Sequence, residues 1–339
     1  MIRAAPALAP AFVLALALTG PTAAAAEGLD AVAARLAAHP QVPGAAVGRV
    51  TARGATWAVA GVRAAGSDDP VTEADAWHLG SLTKAMTATL AARMVEAGAV
   101  AWTDPIAARL PEPGPMGAAT LEELLAHRSG LPANMPGPLA RGAPDRAFFV
   151  AAALRVPLSR GARGAFLYSN VGYVVAGAML EAAGGAPWEA LMAREVFGPL
   201  GMDGAGFGPP PANLGHRSGA RPVPPGPGAD NPAVLGPAGT VHATPADLAA
   251  FLAAHLAWDE AYLSPDSWER LQLAQDYALG WSVDDEGRLV HSGSNTLWWA
   301  VMEVDHAAGR ALFVLVNAGD QRRVRAPVLE AVEALRRGD

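Results

Sequence analysis

The chain has 339 residues, enough for a large core and roughly two domain-equivalents at about 150 residues each. With 51% hydrophobic and 17% charged residues it reads as compact and globular, and the absence of cysteine excludes disulfides, thiolate metal sites and cysteine nucleophiles. The net charge of −7, with no Lys/Arg run of useful length, argues against nucleic acid as a partner.

Residues 1–26 read as a secretory signal: Arg3 supplies the positive start, residues 11–18 the apolar stretch, and Ala24, Ala25 and Ala26 a small-residue cleavage site before Glu27. The apolar part is closed by Gly20 and Pro21, too short to cross about 30 Å of hydrocarbon. Cleavage is therefore expected over anchoring, leaving residues 27–339 as one periplasmic or secreted domain-sized chain without stable membrane insertion. A helix follows over 28–39 with a Leu29, Val32, Leu36 stripe, then strand candidates at 44–50 and 55–62 around Gly54. Residues 81–184 are mainly helical in pattern. Residues 208–239 are loaded with Pro and Gly, show no apolar period, and read as a long mobile or functional loop. Helix returns at 244–257, where Thr244 is an N-cap followed by Pro245. Strand-like runs occupy 277–283, 288–292, 298–304 and 311–317, and a helix over 321–337 closes the chain, its Arg322, Arg323 and Arg325 reading as a solvated face.

Strands at both ends with helices between them predict an α/β (α+β) fold: one antiparallel sheet built from 27–84 and 277–339, flanked by helices, carrying a mostly helical part over 85–276. Chemistry is expected in the cleft between them.

Of the 25 basic residues, 24 are arginine and one is lysine, Lys84, in Ser81-Leu-Thr-Lys84 at the start of an apolar helical run. Residues three apart share a helix face, so the Lys84 ammonium falls beside the Ser81 hydroxyl. A guanidinium cannot give up its proton in a protein, whereas a buried ammonium can become a neutral base for a serine nucleophile. The exception to the arginine habit thus stands where arginine would fail. A serine in the first helical turn also offers its own N–H to an oxyanion. An ordinary N-cap serine with a surface lysine is the bland alternative. With 11 serines in 339 residues, the spacing would arise by accident about 3% of the time. Tyr168-Ser-Asn170, ahead of an apolar run from Val171, is a modest signal alone, since Asn170 could simply cap that helix.

Taken together, Ser81-Leu-Thr-Lys84, the 124–132 stretch ending Ser129-Gly-Leu-Pro132, Tyr168-Ser-Asn170, Gly236-Pro-Ala-Gly-Thr240 and Leu279-Gly-Trp281 resemble the serine β-lactamases of class C and the related penicillin-binding proteins, esterases and D-peptidases. The resemblance runs from about Gly28 to the C-terminus and implies a β-lactamase/transpeptidase-like fold. It also implies Ser81 as nucleophile, Lys84 and Tyr168 sharing the proton traffic with the base left open, and Asn170 orienting Lys84 and the substrate. The family's third motif, Lys-Thr-Gly or a His-x-Gly variant, is matched by His291-Ser-Gly293, which implies that His291 lines the site. Gly293 would then permit close backbone approach, and Ser81 and Ser294 would supply the oxyanion N–H groups. Asn134 matches a substrate-amide contact. His78, in a second His-x-Gly before the nucleophile, reads as structural.

Histidine at 291 replaces a permanent cation with a side chain expected to be largely neutral near pH 7 and to titrate in the physiological range, which turns the expected substrate from β-lactams toward esters and peptides. The expected function is a secreted serine hydrolase acting through an acyl-enzyme on a small ester, amide or peptide. A true β-lactamase, a D,D-carboxypeptidase and a non-turnover penicillin-binding sensor are the alternatives. No cofactor is expected, and the eight histidines show no His-x-x-x-His or comparable metal-ligand spacing. Of Trp298 and Trp299, strand alternation sends only one toward the cleft.

Overall fold

The computed structural model describes residues 27–155, 163–226, 228–273 and 277–338; the expected signal at 1–26 lies outside them. Helix α1 (Leu29–Ala37) leads into the hairpin β1 (Gly44–Thr51) and β2 (Gly54–Gly61), then the short β3 (Trp77–His78) and α2 (Thr83–Glu96). The helical part continues with α3 (Ile106–Arg109), α4 (Leu121–Leu125), α5 (Gly137–Gly142), α6 (Arg146–Leu154), α7 (Asn170–Gly184) and α8 (Trp188–Met192). Short strands β4 (Gly206–Phe207), β5 (Gly215–Arg217), β6 (Arg221–Val223) and β7 (Val241–Ala243) surround α9 (Gly236–Gly239), followed by α10 (Pro245–Ala257) and α11 (Pro265–Gln272). The chain ends with β8 (Tyr277–Ala278), β9 (Trp281–Val283), β10 (Leu289–Ser294), β11 (Trp299–Asp305), β12 (Arg310–Val316) and α12 (Gln321–Arg337).

The main sheet is antiparallel throughout, in the order β2-β1-β12-β11-β10-β9-β8, so the two chain ends meet where β1 pairs with β12, from Ala45 opposite Val316 to Thr51 opposite Arg310. Strand β12 is buried from Ala311 to Val316, a continuous apolar run rather than an alternating one, because helices cover both faces. Val47, Leu312, Val314 and Trp299 pack with Val32 and Leu36 of α1 and Val324, Val328 and Leu335 of α12. Ala46, Phe313, Ala300 and Met302 belong to the larger core around α2 and α10. Helix α2 is buried from Thr83 to Ala92, and α7 from Val171 to Leu180. Helices this apolar on every side sit at the centre of a domain.

Two expectations change. The 277–283 run is two strands, broken at Gly280 with φ +86°; a Cβ there would lie 2.5 Å from the Ala85 Cα, so this turn rests directly on the start of α2. Among its described residues, the 208–239 segment is no structureless loop but the β5–β6 hairpin, a 3₁₀ turn (Ala233–Leu235) and α9. Elements this short are punctuated by Pro and Gly and leave no readable period. Both tryptophans are buried. Trp298 stacks on His78 at 5.7 Å between ring centroids, and Trp299 faces α1 and α12. Neither lines an open cleft.

Candidate active site

Ser81 stands in a 3₁₀ turn (Gly80–Leu82) that runs without a break into α2, so Ser81 and Lys84 share one face, with Lys84 Nζ 3.1 Å from Ser81 Oγ. Lys84 is fully buried. Its Nζ donates to Asn170 Oδ1 and to the Ala238 carbonyl, both at 2.7 Å, and no carboxylate pairs with it among the described residues. Burial without a counter-charge lowers its pKa from the usual lysine value to about 7. The neutral amine can keep both N–H bonds to Asn170 and Ala238, which leaves its lone pair on the side of Ser81.

Asn170 is free for this because it does not cap α7. That task falls to Ser169, whose Oγ accepts from Gly172 N at 2.8 Å and donates to Pro132 O at 2.7 Å. The middle residue of Tyr168-Ser-Asn170 thus ties down the turn, and its neighbours reach the site. Asn170 Nδ2 donates to Asn134 Oδ1 at 2.8 Å, which fixes the amide with Oδ1 toward the lysine and brings the exposed Asn134 to the rim. The Tyr168 ring centroid is 4.9 Å from Lys84 Nζ. Burial raises the Tyr168 pKa to about 12 despite a hydrogen bond with Ser81, so the phenol keeps its proton at neutral pH. Behind it, His127 lies 4.3 Å from the Tyr168 ring, 5.1 Å from Tyr173 and 4.6 Å from Tyr277, and accepts from Ser169 N. Its pKa falls to about 2, through burial first and then Lys84 and His291 nearby, so it packs as a neutral aromatic.

On the opposite wall, β10 touches the Ser81 turn backbone to backbone. A Cβ on Gly293 would lie 2.0 Å from Leu79 O and 2.6 Å from Ser81 N, and one on Gly80, at φ +52°, 2.3 Å from Ser294 N. Only glycines allow this approach, which sets the Ser81 amide against Gly293 and the Ser294 amide against Gly80. His291 is buried, with Nδ1 2.9 Å from Ser292 O and Nε2 3.4 Å from Tyr277 Oη. The expectation that it titrates in the physiological range is corrected: burial, helped by Lys84, lowers its pKa to about 3, and it stays neutral. Beyond Ser294 the surface opens into a cleft of about 920 Å³ lined also by Thr296, Arg217 and Arg322.

The structure brings Ser81, Lys84, Tyr168, Asn170 and Asn134 together on one side, with His291, Gly293 and Ser294 on β10 opposite, and leaves out the expected tryptophan. The participant without a side-chain signal is Ala238, which acts through a carbonyl that every residue carries. Only its place in Gly236-Pro-Ala-Gly-Thr240 marked it, and that segment is anchored to α2 by Thr87 Oγ1 donating to Pro237 O at 2.8 Å and Val241 N donating to Thr83 Oγ1 at 3.1 Å. Among the described residues no group of three His, Asp or Glu side chains is placed to hold a metal ion, and no helix is long and apolar enough to cross a membrane.

Comparison with known proteins agrees with this geometry. The chain is 28% identical over 213 residues to the D-alanyl-D-alanine-carboxypeptidase/endopeptidase AmpH of Escherichia coli (strain K12), covering 57% of this chain and 50% of AmpH. It is 28% identical over 176 residues to the unguisins hydrolase ungD of Aspergillus violaceofuscus (strain CBS 115571), covering 48% and 31%. With penicillin-binding protein 4 of Amycolatopsis lactamdurans it shares 29% over 166 residues, covering 48% and 44%. The chain thus spans half or less of the length of the curated relatives it matches. Among solved structures, the octameric penicillin-binding protein homologue from Pyrococcus abyssi superposes with TM-score 0.75 at 21% identity over 90% of this chain and 76% of its own. SurE with D-Leu gives TM-score 0.75 at 25% identity over 90% and 74%. The family model described as Beta-lactamase matches residues 29–335, and the chain belongs to that family.

Proposed function

We propose that this protein is a secreted serine hydrolase that works through an acyl-enzyme on Ser81. The observation that carries the reading is a fully buried, uncompensated Lys84 with Nζ 3.1 Å from Ser81 Oγ and a pKa lowered to about 7. Neutral Lys84 takes the Ser81 proton as Oγ attacks the acyl carbonyl, and the carbonyl oxygen, now negative, is held by the Ser81 and Ser294 amides. Tyr168 remains protonated and is therefore the donor to the leaving group, recovering its proton from the Lys84 ammonium. Water then attacks the acyl-enzyme, giving up a proton to the regenerated base, which passes it to Ser81 Oγ as the C–Oγ bond breaks and the acid product leaves. This division of labour favours Lys84 as the acylation base.

The neutral His291 offers no cation to a β-lactam carboxylate, which favours ester and peptide-type substrates. In the cleft beside Ser294, Arg217, Arg322 and Arg323 outnumber the one acid, Asp320, so its lining is net positive. This suits an acyl donor whose leaving part carries an acidic group beyond the scissile bond. The similarity to AmpH, a D-alanyl-D-alanine-carboxypeptidase/endopeptidase, supports a D-amino-acid peptide as the second reading. The test is labelling and turnover. Purified protein lacking residues 1–26 should react with a fluorophosphonate at Ser81, hydrolyse short aryl esters and turn over a chromogenic cephalosporin poorly. Efficient cephalosporin turnover with no ester hydrolysis would reverse the substrate preference, and absence of labelling would leave only a binding function.

A further inference from the structure

Asp230 lies outside every motif singled out above, yet it is tied to three backbone segments that each carry a reacting or stabilising atom. Its Oδ1 accepts from Asn295 Nδ2 at 2.9 Å and from Asn231 N at 2.6 Å. The same oxygen is 2.7 Å from His78 Nε2, a short contact bent away from the ring N–H axis. On its other side, His78 accepts the Gly80 N–H at Nδ1, 3.0 Å away, which fixes the proton on Nε2 facing the carboxylate. Gly80 immediately precedes Ser81 and sits at φ +52°. Asn295 immediately follows Ser294, and its Oδ1 accepts from Leu297 N at 3.1 Å and Trp298 N at 3.3 Å, pinning the turn into β11. Asn231 Nδ2 donates to Gly239 O at 2.8 Å, one residue beyond the carbonyl that holds Lys84.

The carboxylate is expensive to keep there. His78 is fully buried on its side-chain atoms and Asp230 nearly so, and Asp230 Oδ2 is buried without a hydrogen-bond partner among the described residues. A half-satisfied buried charge is a poor stabiliser, and apolar side chains would hold three loops together at lower cost. A carboxylate on the Nε2 side fixes the orientation of the ring and so keeps Nδ1 aimed at the Gly80 N–H. We propose that Asp230 is the positioning residue of the oxyanion site: through His78 and Asn295 it sets the separation of the Ser81 and Ser294 amides, and through Asn231 it holds the anchor of Lys84. This rests on the acyl-enzyme reading above.

The experiment compares wild type, Asp230→Ala, Asp230→Asn and Asn295→Ala for aryl-ester kinetics and for affinity toward phenylboronic acid, whose tetrahedral serine adduct places an oxygen between the two amides. Asp230→Ala should lower kcat by about 10–100-fold, below the 10²–10³ typical of losing an oxyanion donor outright. KM should stay within about twofold, and boronate affinity should fall in parallel with kcat. Asp230→Asn retains an acceptor for Asn295 and Asn231 but loses the charge facing His78, and should lie between. A purely structural role predicts a lower melting temperature with kcat per folded molecule unchanged. That result, or unchanged boronate affinity in Asp230→Ala, overturns the proposal; if Asp230→Ala does not fold, Asn295→Ala decides by the same two readouts. A wild type that fluorophosphonate does not label overturns the acyl-enzyme reading and this inference with it, whereas a labelled wild type with unaffected variants overturns this inference alone.

Discussion

Replacing Lys84 with arginine keeps the positive charge and removes the chemistry. With a pKa of about 7, Lys84 is about half neutral at pH 7. A guanidinium of pKa above 12 leaves on the order of one molecule in 10⁵ neutral, and losing a general base typically costs 10²–10⁴ in rate. Acylation of Ser81 should therefore fall by about 10³-fold or more, roughly 4 kcal/mol of barrier. The larger group must also enter a space where Nζ already lies 2.7 Å from both Asn170 Oδ1 and the Ala238 carbonyl. Overpacking of that kind costs about 1–3 kcal/mol, enough to lower the melting temperature without abolishing the fold. Rapid-mixing acylation by an aryl ester, followed by intact mass, measures the chemistry, and circular dichroism measures the fold. In wild type the same acylation rate should rise with pH through about 7 and then level, since the neutral amine is the active form. A folded Lys84→Arg protein that acylates within tenfold of wild type would remove Lys84 from the role of base.

Tyr168→Phe keeps the ring over Lys84 and removes only the proton donor. Amide hydrolysis should fall by about 10²-fold or more while hydrolysis of esters with acidic phenol leaving groups falls far less, because those groups depart without a proton; equal losses on both substrates would contradict the donor role. Asn170→Asp puts a negative charge 2.7 Å from Lys84 Nζ, stabilising the ammonium, so the acylation pH profile should move up by at least about one unit. An unmoved midpoint would dissociate the profile from Lys84. Gly293→Ala drives a Cβ to 2.0 Å from Leu79 O; β10 must retreat from the nucleophile turn, and kcat and melting temperature should fall together. For stability, the Lys84 pKa is lower in the folded chain than the ordinary lysine value of 10.5. Below about 7 both states hold the proton and the burial penalty is complete; between about 7 and 10.5 only the unfolded chain holds it, so folding stability should rise with pH across that window relative to Lys84→Met. The span is on the order of 5 kcal/mol at most, and parallel pH–stability curves for the two proteins would contradict it.

The architecture and the contact of Ser81 with Lys84 were legible because they rest on local order. Strand patterns at both ends of the chain sufficed for a sheet closed by β1 and β12, and the helical spacing of Ser81 and Lys84 sufficed for their contact. The one lysine among 25 basic residues marked its own position, since only an amine can be buried, lose its proton and act as a base. What the sequence could not determine depends on neighbours far away in the chain. The shift of His291 out of the physiological titration range comes from burial and from Lys84, and a side chain's pKa is a property of its surroundings. The 208–239 segment looked structureless because its short turns carry no period, yet it delivers both the Ala238 carbonyl and Asp230. The role of Ser169 as the cap of α7, which frees Asn170, emerged only when 132, 169 and 172 were brought together. Backbone carbonyls, caps and burial have no side-chain signature, so the chemistry of the nucleophile was written in residue type, and its tuning was left to tertiary packing.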